Sequence, residues 1–284
     1  MYTEVKKAVG QHSNTKFYFT ETDAFDPKTL IDVLDGKSLG TIIRGFVDLE
    51  SCTIICDNFS SHEGRYERGQ DAPATYVGAY HYHKELDQYF QESELANKVL
   101  GQLFSKTGNP VERINNALDS ALNKHQRILR PAQWKGKMAC QFVMRSWSDS
   151  GDFSLAPHED EAQCKDPGQA GFEIQEAIKE NNALCAVNIC LENGSGGLLR
   201  IWDIRPDDAM REKYNVEFTG SPYPLEAVKG VAFIDVEIRP GDLYAFDGRF
   251  VHAVTQLEDK TTSSRSTISY LLSHKGKGET MQWA

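Results

Sequence analysis

Asp242-Leu243-Tyr244-Ala245-Phe246-Asp247-Gly248-Arg249-Phe250-Val251-His252-Ala253-Val254 is the stretch on which the fold turns. Two apolar or aromatic runs, residues 242–246 and 250–254, flank the turn dipeptide Asp247-Gly248. The pattern predicts two short strands joined as a hairpin, with His252 on the second. Arg265 follows thirteen residues later (265 − 252 = 13) and heads residues 266–273, where Ile268, Tyr270 and Leu272 alternate with smaller or more polar neighbours. That segment predicts the next antiparallel strand.

The rest of the second half reads the same way. Residues 137–147, 184–191, 198–203 and 231–238 are further candidate strands, separated by Gly-rich segments. One of these, Gly194-Ser195-Gly196-Gly197, has neither the Lys-Ser/Thr nor the following helix of a phosphate cradle, so it is a turn. Short strands of this kind predict a mainly β fold with flanking helices, two antiparallel sheets wrapped around a cavity as a jelly roll.

The flanking helices come from the first half. Residues 41–47 predict a strand, after which Asp48 caps a helix to about residue 59. Residues 60–74 are polar and aperiodic, a surface loop. A helix over 93–105 would place Leu95, Val99, Leu100 and Leu103 on one face. Asn109-Pro110, a cap followed by a first-turn proline, opens another that carries Val111, Ile114, Leu118, Ala121 and Leu122 to about residue 126. With 284 residues, one substantial core suffices. We expect a single domain over 1–284, with 1–136 as mostly helical support and 137–284 as the jelly-roll core.

His158-Glu159-Asp160 supplies the chemistry. With eight histidines in the chain, roughly one His-x-Asp/Glu match is expected by chance, so the triplet needs context. His252 on a nearby strand provides it. Two imidazoles and one carboxylate on one face of a metal leave the opposite positions open, the arrangement of non-haem Fe(II) oxygenases. Should Asp160 not be a ligand, Glu159 and Asp152 are the alternatives. His81 and His83 alternate on a candidate strand, but no carboxylate accompanies them, and solvated or core histidines are the simpler reading.

Bulk properties restrict the partners. The formal net charge of −10 repels phosphate backbones, which argues against nucleic acid. No apolar run is long enough to span a bilayer, and residues 1–10 carry Glu4, Lys6 and Lys7 where a signal peptide would have an apolar core. A cytoplasmic protein that does not bind membrane is expected. The six cysteines contain no Cys-x-x-Cys pair; Cys52 and Cys56 fall on a helix and Cys185 and Cys190 on a strand, as buried thiols.

His158-x-Asp160, His252 and Arg265 together resemble the Fe(II)/2-oxoglutarate-dependent oxygenases, which share a double-stranded β-helix (jelly-roll, cupin-like) fold. From about residue 137 onward the chain is most similar to the branch of carrier-protein-independent indole-alkaloid halogenases and related small-molecule hydroxylases. Strand 138–147, Gly196-Gly197-Leu198-Leu199-Arg200-Ile201-Trp202, the Gly-Asp-x-x-x-Phe run at 241–246 and the ending Met281-Gln282-Trp283-Ala284 carry that likeness. The resemblance implies Fe(II) held by His158, Asp160 and His252, with 2-oxoglutarate and O2 as cosubstrates. Succinate and CO2 would be the co-products of hydroxylating an unactivated C–H bond in a small polar metabolite: an amino acid, a derivative or a natural-product intermediate.

One departure decides the reaction. Halogenases of that branch have Gly or Ala where this chain has Asp160, so the resemblance implies a hydroxylase. An oxidative cyclase or desaturase of the same cofactor class is the alternative, and a non-catalytic jelly-roll binding module is the alternative outside it. The nucleic-acid demethylase branch would show a second Arg at position 271, where this chain has Leu271.

If the 2-oxo end of 2-oxoglutarate chelates iron, its distal carboxylate is buried and needs a planar bidentate donor. Guanidinium supplies that and ammonium does not, which assigns Arg265. Thr267, two residues on and so on the same strand face, adds a hydroxyl. Arg145 and Trp147 share one face of their strand, opposite Met144 and Ser146. Facing the cavity they would hold an anionic or aromatic part of the substrate; facing outward they would pack on the surface. Trp202 is either barrel core or pocket wall.

Overall fold

Asp26, Asp48 and Asn109 cap three helices with their own side chains: α1 (Pro27–Leu34), α2 (Leu49–Ser60) and, beyond α3 (Leu86–Val99), α4 (Pro110–Asn123). Asn109 accepts from the backbone N–H groups of Val111 and Glu112, a cap worth about 1 kcal/mol. Val111, Ile114, Leu118 and Leu122 then bury one stripe of α4. Two short helices, α5 (Ile174–Lys179) and α6 (Asp208–Lys213), follow. This computed structural model describes residues 17–68, 74–148, 153–180, 183–258 and 264–284. The leader reading of residues 1–10, His12 and Asp152 lie outside them. Among the described residues no helix is long and apolar enough to cross a membrane.

The helix expected over 93–105 begins earlier, and residues 100–104 tighten into a 3-10 turn. Leu95 faces solvent, while Tyr89, Phe90, Ser93 and Ala96 face inward. The inward face is aromatic: Phe90 stacks on Trp134 at 5.6 Å and meets Phe172 edge-on at 5.1 Å. An apolar period counted from Leu95 misses those rings.

The strands, in chain order, are β1 (Phe19–Thr22), β2 (Gly40–Ile43), the β3 (Tyr66–Glu67) and β4 (Thr75–Val77) pair, β5 (Ile128–Pro131), β6 (Gln133–Trp134) and β7 (Lys137–Met138). They continue as β8 (Val143–Ser148), β9 (Phe153–His158), β10 (Cys185–Glu192), β11 (Leu199–Trp202) and β12 (Phe233–Val236). The last are β13 (Leu243–Asp247), β14 (His252–Thr255), β15 (Ser264–Lys275) and β16 (Glu279–Trp283). The larger sheet runs β1-β2-β13-β10-β15-β8-β4-β3, with β16 and β5 attached at β15, and the smaller runs β12-β11-β14-β9. Together they form the double-stranded β-helix.

Alternation along each strand sorts the larger sheet into two faces. Val187, Ile189, Leu243, Ala245, Ile268, Tyr270 and Leu272 pack under the helices. Ile42, Ala186, Cys190, Tyr244 and Phe246 point into the barrel and meet Leu199, Ile201, Ile234 and Val236 from the smaller sheet. That apolar plug fills one end of the barrel. At about 25 cal/mol per Å² of buried apolar surface, such filling is the main term holding the sheets face to face.

Five expectations need correction. The β13 and β14 strands do not form a hairpin: β13 lies in the larger sheet against β10 and β2, and β14 in the smaller against β11 and β9. Arg249 donates from Nε and Nη2 to the Asp247 carboxylate at 2.8 and 2.6 Å, fixing the bend between the sheets. Likewise β15 neighbours β10 and β8, not β14. Residues 1–136 are more than helical support, because β1 and β2 extend one edge of the larger sheet and β4 and β3 the other. The strand expected over 137–147 is broken between β7 and β8, where Tyr89 Oη and Asn97 Oδ1 accept the Cys140 and Gln141 N–H groups in place of a ladder partner. His81 and His83 are on no strand; His81 is buried with Nδ1 3.0 Å from Gln169, and His83 has a left-handed φ of 59°. The cysteines on α2 and β10 are free thiols, and burial pushes those of Cys52 and Cys56 up to about 11 and about 12.

Candidate metal centre and carboxylate clamp

His158 ends β9 and His252 begins β14, two antiparallel neighbours in which these residues are register partners. Directly opposite residues carry their side chains on the same face. The imidazole centroids accordingly lie 4.1 Å apart. Each ring is oriented by a local bond, His158 Nδ1 to the Ala156 carbonyl at 2.8 Å and His252 Nδ1 to the Phe250 carbonyl at 2.9 Å. With N–H at Nδ1, both rings present a lone pair at Nε2.

Asp160 joins them from the segment after β9. Its Oδ2 lies 3.8 Å from His252 Nε2, and its Oδ1 accepts from Gln163 Nε2 at 3.2 Å. The ligand atoms of His158, Asp160 and His252 all fall within 4.8 Å of one another. Glu159 points the other way. Arg211 Nε donates to it at 2.9 Å and the N–H groups of Glu161 and Ala162 bind its other oxygen, so it has no part in the triad.

The bend that carries the chain between sheets also places Asp160. Asp160 N–H donates to Gly248 O at 2.8 Å, and Gly248 N–H donates to Leu184 O at 2.7 Å. A Cβ built on Gly248 would overlap Asp160 Oδ2. Gly248→Ala is therefore expected to push the carboxylate out of line and weaken Fe(II) binding by roughly 10–100-fold, the size seen when a group that orients a ligand is lost. Metal titration under argon checks this; parent-like affinity would mean the Asp160 segment shifts freely.

Electrostatics fit a cation at this point. Burial pulls His252 down to about 4, and burial followed by the nearby His252 holds His158 well below the usual imidazole range. Both rings are neutral and ready to donate a lone pair. Burial raises Asp160 to about 7 against the opposing pull of Arg145. A divalent ion would stabilise the carboxylate anion that burial disfavours.

Across the barrel, Arg265 and Thr267 lie on the interior face of β15, opposite Trp147 and Arg145 of β8. Arg265 is 2 % exposed and Thr267 1 %. Arg265 Nη2 donates to Tyr244 Oη at 2.8 Å, while Arg265 Nε and Thr267 Oγ1 have no hydrogen-bond partner among the described residues. A buried donor left unmade costs about 1–3 kcal/mol. The orphaned pair is what a ligand carboxylate would satisfy.

The sequence reading left the facing of Arg145 and Trp147 open. Both face the interior: the Arg145 guanidinium carbon lies 5.4 Å from the Trp147 ring centroid, and that of Arg265 5.2 Å on the same ring. Trp202 is a correction. On β11, Leu199 and Ile201 take the interior face, which sends Trp202 outward into a separate cluster with Val216, Tyr223, Val228, Val251 and Ala253. It is core beneath the 204–231 segment, not pocket wall. Tyr244, Ser269, Gln163 and Gly248 were missed. Of these Tyr244, two positions before Phe246, and Ser269, two after Thr267 and accepting from Arg145 Nη2 at 2.7 Å, had a signal in the alternation.

Comparison with known proteins identifies the family. The family model described as carrier-protein-independent halogenase WelO5 matches residues 19–282. An L-isoleucine 3(1)-dioxygenase from Pantoea ananatis (strain AJ13355) is 28 % identical over 262 residues, covering 88 % of this chain and 86 % of that protein. Among solved structures, an N-substituted L-amino acid dioxygenase from Burkholderia ambifaria AMMD superposes with a TM-score of 0.57 at 18 % identity, covering 91 % of each chain. The same enzyme in complex with alpha-KG gives 0.55.

Proposed function

The chain belongs to the carrier-protein-independent halogenase WelO5 family and is an Fe(II)/2-oxoglutarate-dependent oxygenase; from that premise we propose that it hydroxylates an aliphatic C–H bond of an amino acid. The observation that carries the reading is Asp160 in line with His158 and His252, a third protein ligand where a halogenase needs an open position. The likeness to an enzyme named for L-isoleucine supports the substrate class. In this reading His158, Asp160 and His252 hold Fe(II), and Arg265 with Thr267 holds the distal carboxylate of 2-oxoglutarate. Fe(II), 2-oxoglutarate and O2 together supply an oxidant able to break an aliphatic C–H bond, with succinate and CO2 formed alongside.

The chain's own residues do the positioning. Ala156 and Phe250 carbonyls fix the tautomers of the two imidazoles, Gln163 orients Asp160, and Tyr244 steadies the Arg265 fork. The apolar plug around Phe246, Ile201 and Val236 closes one end of the barrel to water. We place the enzyme in the cytoplasm acting on a small molecule, with neither nucleic acid nor membrane as partner, in keeping with its charge of −10.

Succinate release from 2-oxoglutarate across a panel of L-amino acids tests this. Stimulated turnover with gain of one oxygen atom in the product is the expected result. Loss of two hydrogens would make it a desaturase or cyclase, and indifference to every amino acid would remove the substrate class. Arg265→Lys should raise the 2-oxoglutarate requirement by at least about tenfold, because a point charge replaces a bidentate fork. An unchanged requirement would assign the clamp elsewhere.

A further inference from the structure

The register of the larger sheet brings a second arginine to the cavity. Tyr66 on β3 stands opposite Tyr76 on β4, and Tyr76 opposite Arg145 on β8. Arg68 follows two residues after Tyr66, its N–H bound to the Ala74 carbonyl at 2.8 Å. Cross-strand partners share a face and alternate residues return to it. Arg68 thus lies on the interior face already occupied by Arg145, Trp147, Arg265 and Thr267.

Aromatic rings fix the Arg68 side chain. Its guanidinium carbon lies 4.9 Å from the Tyr82 ring centroid and 5.4 Å from that of Tyr80. The two rings pack 4.7 Å apart, and Tyr80 meets Tyr76 edge-on at 5.2 Å. Such stacking holds the planar group in one orientation and strips water from one side.

Among the described residues no ion pair forms here, Asp160 acting on Arg145 only through its field, whereas ion pairs form at other arginines. Arg44, Arg130, Arg200, Arg211 and Arg249 each pair with a carboxylate. Among the described residues neither Arg68 nor Arg145 does; Arg145 Nη2 finds only Ser269 Oγ at 2.7 Å, and its buried Nε has no partner. Burial and the charge of Arg145 bring Arg68 down to about 10. Two like charges, each partly withdrawn from water on one face of the sheet, call for an anion. It is not 2-oxoglutarate, whose two carboxylates are answered in the proposed function by the metal and Arg265. With neighbouring strands about 4.8 Å apart, β3 lies three spacings from β15 in the order β15-β8-β4-β3. Arg68 therefore enters the interior face toward the β3 edge of the sheet, remote from Arg265.

We infer that Arg68, together with Arg145, anchors the carboxylate of the substrate, with Tyr80 and Tyr82 orienting the Arg68 guanidinium. The inference rests on the hydroxylase reading above and narrows it to substrates that carry a free carboxylate. It makes Arg68 a specificity-determining residue, since the carbon presented to the metal is set by its distance from the anchored carboxylate.

The test compares acids with their amides. Binding of L-isoleucine and L-isoleucinamide, and of the same pair for each amino acid of the panel, is measured by calorimetry to the full chain loaded with Fe(II) and 2-oxoglutarate without O2. At least one acid should bind the parent better than its amide by about tenfold or more, the value of charge-assisted hydrogen bonds. Arg68→Met should erase that preference while leaving affinity for the amide and for 2-oxoglutarate in place, and Arg68→Lys should recover part of it. Arg68→Gln is read the same way should the methionine variant misfold. A preference intact in these variants, a loss of 2-oxoglutarate affinity instead, or no preference in the parent for any carboxylate over its amide overturns the anchor. If only N-acyl or 2-hydroxy acids show the Arg68-dependent preference, the amino-acid reading fails and the anchor stands.

Discussion

His252→Ala is expected to remove Fe(II) binding and, with it, all substrate-dependent succinate formation. Among the described residues His252 Nε2 is one of three protein donors gathered within 4.8 Å, so its loss leaves one imidazole and one carboxylate. Losing a residue that merely orients a ligand costs about 10–100-fold in metal affinity; losing the ligand itself should exceed the upper end of that range. Two observations separate this effect from unfolding. His252 is neutral in its buried position, its titration drawn down to about 4, so the variant discards no buried charge. Its ring meets Phe246 edge-on at 4.7 Å, and the small cavity left by alanine is expected to cost about 2–3 kcal/mol, by analogy with other large-to-small core changes. Titration of Fe(II) under argon, with circular dichroism as the folding control, gives the result. Parent-like affinity in a folded variant would remove the proposed centre.

The elements that were legible in the sequence are those whose signals are short-range. A cap needs only Asp48 or Asn109 and the next few residues, and a strand needs only its alternation. His158-x-Asp160 was legible for the same reason, because two residues this close in sequence, where the chain leaves β9, need only the local chain path to be neighbours. Arg265 and Thr267 followed from alternation along a single strand.

What was hidden depends on which sheet a strand joins. Residues 242–254 look like a hairpin because Asp247-Gly248 is a turn dipeptide, yet the Asp247–Arg249 pair and the Gly248–Leu184 bond send the chain from one sheet to the other. That crossing is what lets His252 face His158 across the smaller sheet while Arg265 faces it from the larger. Arg68 was invisible for a related reason. Its place opposite Ala74, and the alignment of β4 with β8, emerge only from register across strands far apart in sequence. Trp202 misled because an aromatic beside Ile201 carries no mark of which face is inside until both neighbouring strands, β12 and β14, are in place.

Asp160→Gly should abolish native hydroxylation while leaving the fold intact, and it is the change that bears most directly on how this chain departs from its family. Glycine in this position is what the resemblance to the halogenases implies for a metal that accepts halide. Here the carboxylate is oriented at Oδ1 by Gln163, with Oδ2 3.8 Å from His252 Nε2, and Gly248 leaves it room that a Cβ would remove. Removing it takes away a buried acid that burial already pushes up to about 7, so the metal-free protein should be no less stable. In the proposed centre the metal would lose its anionic protein ligand, and oxidation of the best amino-acid substrate should fall by more than about 100-fold, again beyond the range for orienting groups. Chloride or azide added without O2 should now change the optical spectrum of the loaded variant, as it should not in the parent. Halogenated product need not follow, because the pocket proposed above, with Arg68 and Arg145 as its anchor, would place the substrate for hydroxylation, and transfer of halogen requires a different placement of the same carbon. Undiminished hydroxylation by Asp160→Gly would show that the carboxylate is not a ligand. With Glu159 committed to Arg211, the third donor would then have to come from beyond the described residues, where Asp152 lies.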